Sequence, residues 1–239
     1  MKKLKTLGII TMAVLIVLMA AFAIMAALGI FKIETDETGK TEIIFSPAES
    51  KNEFLAWQTS ETEDKAVAVF KTDAGDFKVK LADCAATEKF IELDNAGTFD
   101  GMEFSVLAEN MFIQTSLSGE GFAAEKTEFA CIEGAVGFVL EDEKAFPSLV
   151  IITPENLSSV SKVYLKESGF NEERKKVYES FGGVPEYEEN LVVFGMVISG
   201  KDTVKAISEG KNSGFTGGFS ALEPVKINSV EIIFTTYEN

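Results

Sequence analysis

Val192-Val-Phe-Gly-Met-Val-Ile-Ser-Gly-Lys-Asp-Thr-Val-Lys-Ala-Ile207 changes its period midway. From Leu191 to Ile198 the run is wholly apolar apart from one glycine, as expected of a strand buried on both faces. Beyond Gly200 the apolar residues move to a spacing of three, Val204 and Ile207. That spacing predicts a short helix, with Asp202 as its cap.

Reading outward, strand-like runs recur with turn residues between them. Ala66–Phe70 and Phe77–Leu81 flank Thr72-Asp-Ala-Gly-Asp76, a hairpin signature. A helix is expected over 87–93, with Phe90 and Leu93 on one face and Asn95 and Gly97 ending it. Strands follow at 102–107, 111–115, 133–140 and 148–153, and a last one at 225–234. Between 154 and 190 the pattern turns helical. Thr153 is the expected cap and Pro154 the first helical residue of one helix, which Gly169 ends. Asn171 caps a second, closed by Gly182-Gly183. Short strands, a few short helices and glycine turns predict a mainly β fold, a closed antiparallel barrel plugged by helices. Helices do not alternate with strands, which excludes a doubly wound sheet.

The first 31 residues are different material. Lys2, Lys3 and Lys5 precede an uncharged, mostly apolar run from Thr6 to Phe31. It exceeds the ~20 residues that span a bilayer and the roughly 7–15 of a cleaved signal. Acidic Glu34, Asp36 and Glu37 follow, so positive charge stays inside. The expectation is one N-terminal transmembrane helix (1–31), single-pass, with an extracytoplasmic C-terminal domain. Residues 32–65 read as an acidic juxtamembrane linker with a short hairpin at its start and Trp57 packing partly on the domain, which occupies 66–239.

The 239 residues carry 22 basic and 38 acidic side chains, a formal charge of −16. Nucleic acid is a poor partner for such a surface. With no histidine and no Cys-x-x-Cys, neither a metal site nor a Ser–His hydrolase is expected, and no cofactor is implied. Cys84 and Cys131 could pair outside the cytoplasm or remain buried thiols.

Four stretches in collinear order resemble the cyclophilin-type peptidyl-prolyl isomerases: Thr72–Phe77, Phe99–Phe104, Val192–Ile207 and Pro224–Ile232. The insertion ending Tyr178-Glu-Ser-Phe-Gly-Gly-Val-Pro185 is similar to one in cyclophilins of anaerobic Gram-positive bacteria. The resemblance implies a cyclophilin-like barrel with a helical insertion at 154–190. It also implies a pocket built from Phe104, Val106, Met111, Gln114, Phe138, Leu149, Ile151 and Leu191. The family's Phe-His-Arg-Val reads Phe104-Ser-Val-Leu107 here, so Val106 holds the arginine's position. Phe-Met-x-Gln-Gly-Gly reads Met111 to Ser116 and retains Gln114. Gln-Phe-Phe is placed on Leu149-Val-Ile151, and Trp-Leu-Asp-Gly-x-His on Glu186 to Leu191.

Rotation about an Xaa-Pro amide faces a barrier of ~18–20 kcal/mol. Lowering it takes an apolar cradle for the ring and a donor aimed at the twisting amide. In the family that donor is the arginine, and losing one aimed donor costs roughly a hundred- to a thousandfold. No catalytic residue is therefore assigned. The only arginine, Arg174, is expected as a surface residue beside Glu172 and Glu173. Gln114 could orient a substrate backbone or be a core amide. The resemblance implies an isomerase of weak or lost activity acting on proline-containing segments of exported proteins. The alternative is a non-catalytic module binding a peptide or a membrane-associated partner.

Overall fold

Strands β3 (Ala66–Thr72) and β4 (Gly75–Leu81) pair antiparallel, with Phe70 opposite Phe77 and Thr72 opposite Gly75. The turn keeps its shape because the Thr72 hydroxyl donates to Gly75 O and accepts from Ala74 N–H. Six further strands complete a ring: β5 (Glu103–Ala108), β6 (Phe112–Thr115), β8 (Ala135–Glu141), β9 (Lys144–Ile152), β10 (Leu191–Ser199) and β11 (Ser220–Phe234). The order is β6-β5-β11-β3-β4-β10-β8-β9, and a β6–β9 pairing closes it. The two-residue β7 (Phe122–Ala123) pairs with one end of β9. The expected antiparallel barrel with helices is thus present.

The computed structural model describes residues 32–35, 41–44, 53–60, 66–116 and 119–234. They fall into two units that part after Glu53. In the first, β1 (Lys32–Thr35) and β2 (Thr41–Ile44) form the expected antiparallel hairpin, Ile33 opposite Ile43. The apolar run at 1–31, where the anchor is expected, lies outside the described residues. Among those residues no helix is long and apolar enough to cross a membrane.

Alternation along the strands sorts the apolar side chains into two clusters. All eight ring strands feed the first, through residues such as Ala68, Phe77, Phe104, Ile113, Val136, Leu149, Phe194 and Ile227. It is the barrel interior. Phe90 of α2 (Ala85–Asn95), and Val204 and Ile207 of α5 (Lys201–Ser208), complete it. The second cluster draws on one arc of the ring: Ala108 and Phe112, Val150 and Ile152, Ala135, then Leu191, Val193 and Met196. Leu165 of α3 (Ser159–Glu167) and Tyr178 of α4 (Glu172–Phe181) cover this arc from the insertion.

Helix starts differ from expectation at two of three places. Asn171 caps α4, its side chain accepting from Arg174 N–H. Thr153-Pro154 does not start α3, however. Pro154 O accepts the Gly183 N–H, residues 153–157 stay outside the helix, and Ser158 caps instead, accepting from Ser161 N–H. Asp202 likewise lies inside the first turn of α5, and the cap position is Gly200 at φ 77°. A Cβ there would strike the Phe77 backbone, so the glycine lets α5 start hard against the β3–β4 hairpin.

Within 46–65 the chain forms a helix, α1 (Glu53–Thr59), docked on the barrel. Leu55 joins the second cluster. The Gln58 amide grips Ala130 twice, donating to its carbonyl at 2.8 Å and accepting its N–H at 2.7 Å. Lys80 of β4, fully buried, donates to Ser60 O at 2.6 Å and lies 4.6 Å over the Trp57 ring.

Candidate functional site

One row of side chains crosses six neighbouring strands. The register pairs Ser220 with Val106, Val106 with Gln114, Gln114 with Val150, Val150 with Gly137, and Gly137 with Val193. Directly paired residues share a face. Val106, Val150 and Val193 belong to the second cluster, so this row lies on the outer wall.

The expected pocket residues divide between the two sides of that wall. Val106, Met111 and Leu191 belong to the outer cluster, and Gln114 shares its row. Phe104, Phe138, Leu149 and Ile151 lie in the barrel interior, each at 1% exposure or less. The two groups do not line one cavity. Ser148 and Val150, not singled out from the sequence, are the β9 residues beside Gln114. A slip of one residue along a strand exchanges its faces, so Val150, and not Leu149 or Ile151, stands in the row with Gln114.

Gln114 donates through Nε2 to the Ser148 hydroxyl at 3.2 Å. That hydroxyl in turn donates to Thr115 O at 2.8 Å. The partly buried amide is therefore held by a side chain of β9. Leu191 lies over Gly137, where a Cβ would come within 2.8 Å of Leu191 Cγ. It is 2% exposed and fills its place with hydrocarbon. Phe112, 6% exposed, lies beneath Tyr187 of the 3-10 turn Pro185–Tyr187. The outer wall keeps an apolar floor, and the insertion roofs part of it.

Arg174 is not a surface residue. Its Nε donates to Glu188 Oε1 at 2.8 Å, and its two terminal nitrogens donate to Glu128 O and Phe129 O. Glu188 also accepts from Tyr178, whose oxygen receives the Cys131 N–H at 2.8 Å. Desolvation pushes the Tyr178 and Cys131 protons firmly on, aided by the neighbouring Glu188 charge. Both cysteines are free thiols. The sole guanidinium thus clamps the insertion to Glu128 and Phe129, with all three of its nitrogens donating there or to Glu188.

A broader cleft of about 920 Å³ lies off this row, between Glu109, Glu133, Glu155 and α5. Its lysines are matched to its acids, Lys201 to Glu133 at 2.9 Å and Lys205 to Glu155 at 3.1 Å. It offers no apolar cradle comparable to the floor around Phe112.

The family model described as Cyclophilin type peptidyl-prolyl cis-trans isomerase/CLD matches residues 67–232. The chain belongs to that family. This cyclophilin-type chain is 26% identical over 181 residues to a Staphylococcus saprophyticus protein to which peptidyl-prolyl cis-trans isomerase activity has been attributed. The match covers 69% of this chain and 90% of that one. Among solved structures it is similar to a cyclophilin-type isomerase of Cryptosporidium parvum, with a TM-score of 0.52 and 14% identity. That match covers 71% of this chain and 98% of the other. A second structure of the same protein, obtained in the presence of the dipeptide Ala-Pro, gives 0.51 at 14% identity, covering 72% and 99%. At such identity the likeness carries the cyclophilin barrel alone.

Proposed function

We propose that this cyclophilin-type domain engages proline-containing segments of exported proteins on the outer wall, and that it isomerises them slowly or not at all. In this reading the N-terminal apolar run holds it to the outer face of a bacterial cell membrane. One observation carries the catalytic part: Val106 stands in the row beside Gln114 while the only guanidinium is committed to Glu188. A prolyl amide losing conjugation has its nitrogen lone pair localised, and a donor directed there stabilises the twisted state. A valine side chain has no hydrogen to give. Gln114 can still orient a peptide backbone, and Phe112 and Met111 can still exclude water from a ring.

The second reading, a binding module for a peptide or a membrane-associated partner without catalysis, is favoured by Tyr187 over Phe112 and by Leu191 over Gly137. Both reduce the space left for a proline ring.

Exchange NMR of a short Ala-Pro peptide with the full chain in detergent micelles separates the cases. A rate roughly a hundred- to a thousandfold below that of an arginine-bearing cyclophilin measured alongside is expected from the loss of the one aimed donor. Fast turnover typical of an intact isomerase overturns the claim of slow catalysis. Binding with no acceleration at all selects the second reading. For placement, protease added to intact cells should reach the domain, and complete protection contradicts an outward orientation.

A further inference from the structure

We infer that Phe215 and Phe219 form an apolar subsite beside Val106, selecting proline-containing segments that carry a large apolar side chain next to the proline. The inference rests on the reading of the outer row as the peptide site, and extends it to a substrate class.

Ser220 stands opposite Val106, so the preceding residue, Phe219, flanks the same position. Phe219 and Val106 are both partly buried against the outer cluster. The 3-10 turn Phe215–Gly217 brings Phe215 edge-on to it, with ring centroids 5.9 Å apart at 74°. Phe215 is 83% exposed, and Leu222 on the same small hairpin is 63% exposed. A single exposed apolar residue is ordinary, but here Phe215 meets Phe219, which itself packs on the outer cluster.

The loop that displays them is tied down on every side. Both backbone groups of Leu107 on β5 are used: its N–H donates to Phe219 O at 2.9 Å, and its carbonyl accepts from Asn212 Nδ2 at 3.1 Å. Asn212 also accepts the Gly214 N–H, and Ser213 and Ser220 both donate to Gly217 O. Phe219 is held at φ 56°, a left-handed conformation that a bulky residue adopts only where its surroundings impose it. A loop backbone so tied down presents Phe215 at a defined place, so less freedom is lost on contact with a ligand. The chain as a whole bears a formal charge of −16, which disfavours acidic ligands at this apolar island.

The test measures the affinity of the full chain for Ala-Pro peptides in which one neighbour of the proline is varied among Gly, Ala, Leu and Phe. A large apolar neighbour at one position should tighten binding roughly tenfold. In Phe215→Ser that ratio should fall towards one, with Phe215→Leu intermediate. Exposed Phe215 contributes little to folding, so the melting midpoint of both variants should match the parent. A parent chain without the preference, or a Phe215→Ser chain that keeps it, overturns the subsite while leaving proline binding in place. Self-association abolished by Phe215→Ser with no change in preference assigns the patch to a second copy and overturns the proposal. Failure to bind any of the peptides overturns both this inference and the reading beneath it.

Discussion

The Tyr187 ring lies tilted at 47° over the ring of Phe112, their centroids 4.7 Å apart. Tyr187 comes from the insertion and Phe112 from the barrel wall, so this contact sets how much of the apolar floor a ligand can reach. The Tyr187 N–H donates to Val184 O, and desolvation raises the pKa of its phenol.

Tyr187→Ala should uncover Phe112. Peptide affinity is expected to rise several-fold, while stability falls by about 1 kcal/mol for the lost ring pair. Titration with an Ala-Pro peptide and a urea melt measure the two effects. Weaker binding in the variant would make Tyr187 part of the cradle instead of its cover.

Val106→Arg restores the missing donor but neither the covered floor nor the residues at 148 and 150. Its isomerase rate should rise by less than about tenfold, against the roughly hundred- to thousandfold that one well-aimed donor supplies. Exchange NMR gives the rate directly. A full rescue would show that the rest of the site was already sufficient.

Arg174→Ala leaves Glu188, 8% exposed, with the Tyr178 hydroxyl but no cation. Removing one partner of a buried ion pair costs about 3–5 kcal/mol. The insertion should therefore loosen before the barrel does, giving faster amide exchange over 172–188 than over β3 and β4. Uniform loss of protection would contradict that order.

Alkali should weaken the same junction. Burial raises the pKa of Tyr178 above its ordinary 10.0 and that of Cys131 above its ordinary 9.0. The unfolded chain then releases these protons at a lower pH than the folded chain. Their stabilising effect is complete below about pH 9 and declines as pH rises beyond it. Melting midpoints from pH 8 to 11 should fall, and fall less steeply in Cys131→Ala. Equal slopes would remove Cys131 from the account.

Gln58→Ala leaves the N–H and carbonyl of Ala130 without their amide partner. A loss of about 1–3 kcal/mol is expected, together with early proteolysis within α1. An unchanged melt would mean that α1 contributes little to the fold.

The sequence carried the ring well, because its strands are marked by apolar runs and turn residues that need no partner to be read. The β3–β4 hairpin, α2, α4 and β10 fall close to where local pattern places them. Register was less legible. In Ser148-Leu-Val-Ile-Ile152 every residue after the serine is apolar, so no alternation tells which ones face inward, and the pairings with β6 and β8 fix Val150 on the outer wall. Thr153-Pro154 carried a true helix-start signal that lost to a long-range bond, Gly183 N–H to Pro154 O. Arg174 looked solvated between acidic neighbours, yet its partners lie 14 and about 45 residues away in sequence. Trp57 and Gln58 sit in a polar stretch with no periodicity, so α1 gave little signal.

Closure of the ring through β6 and β9 governs how any guest must be held. A protein with an open sheet can seize an extended chain by adding it as one more strand, using backbone bonds that ignore which residues it carries. Here both margins of β6 are occupied, so no such generic grip exists along the row from Ser220 to Val193. On the proposed reading, discrimination of a visiting polypeptide then falls to the shape of its side chains and the reach of the Gln114 amide, which suits a selective receptor better than a holder of any unfolded chain.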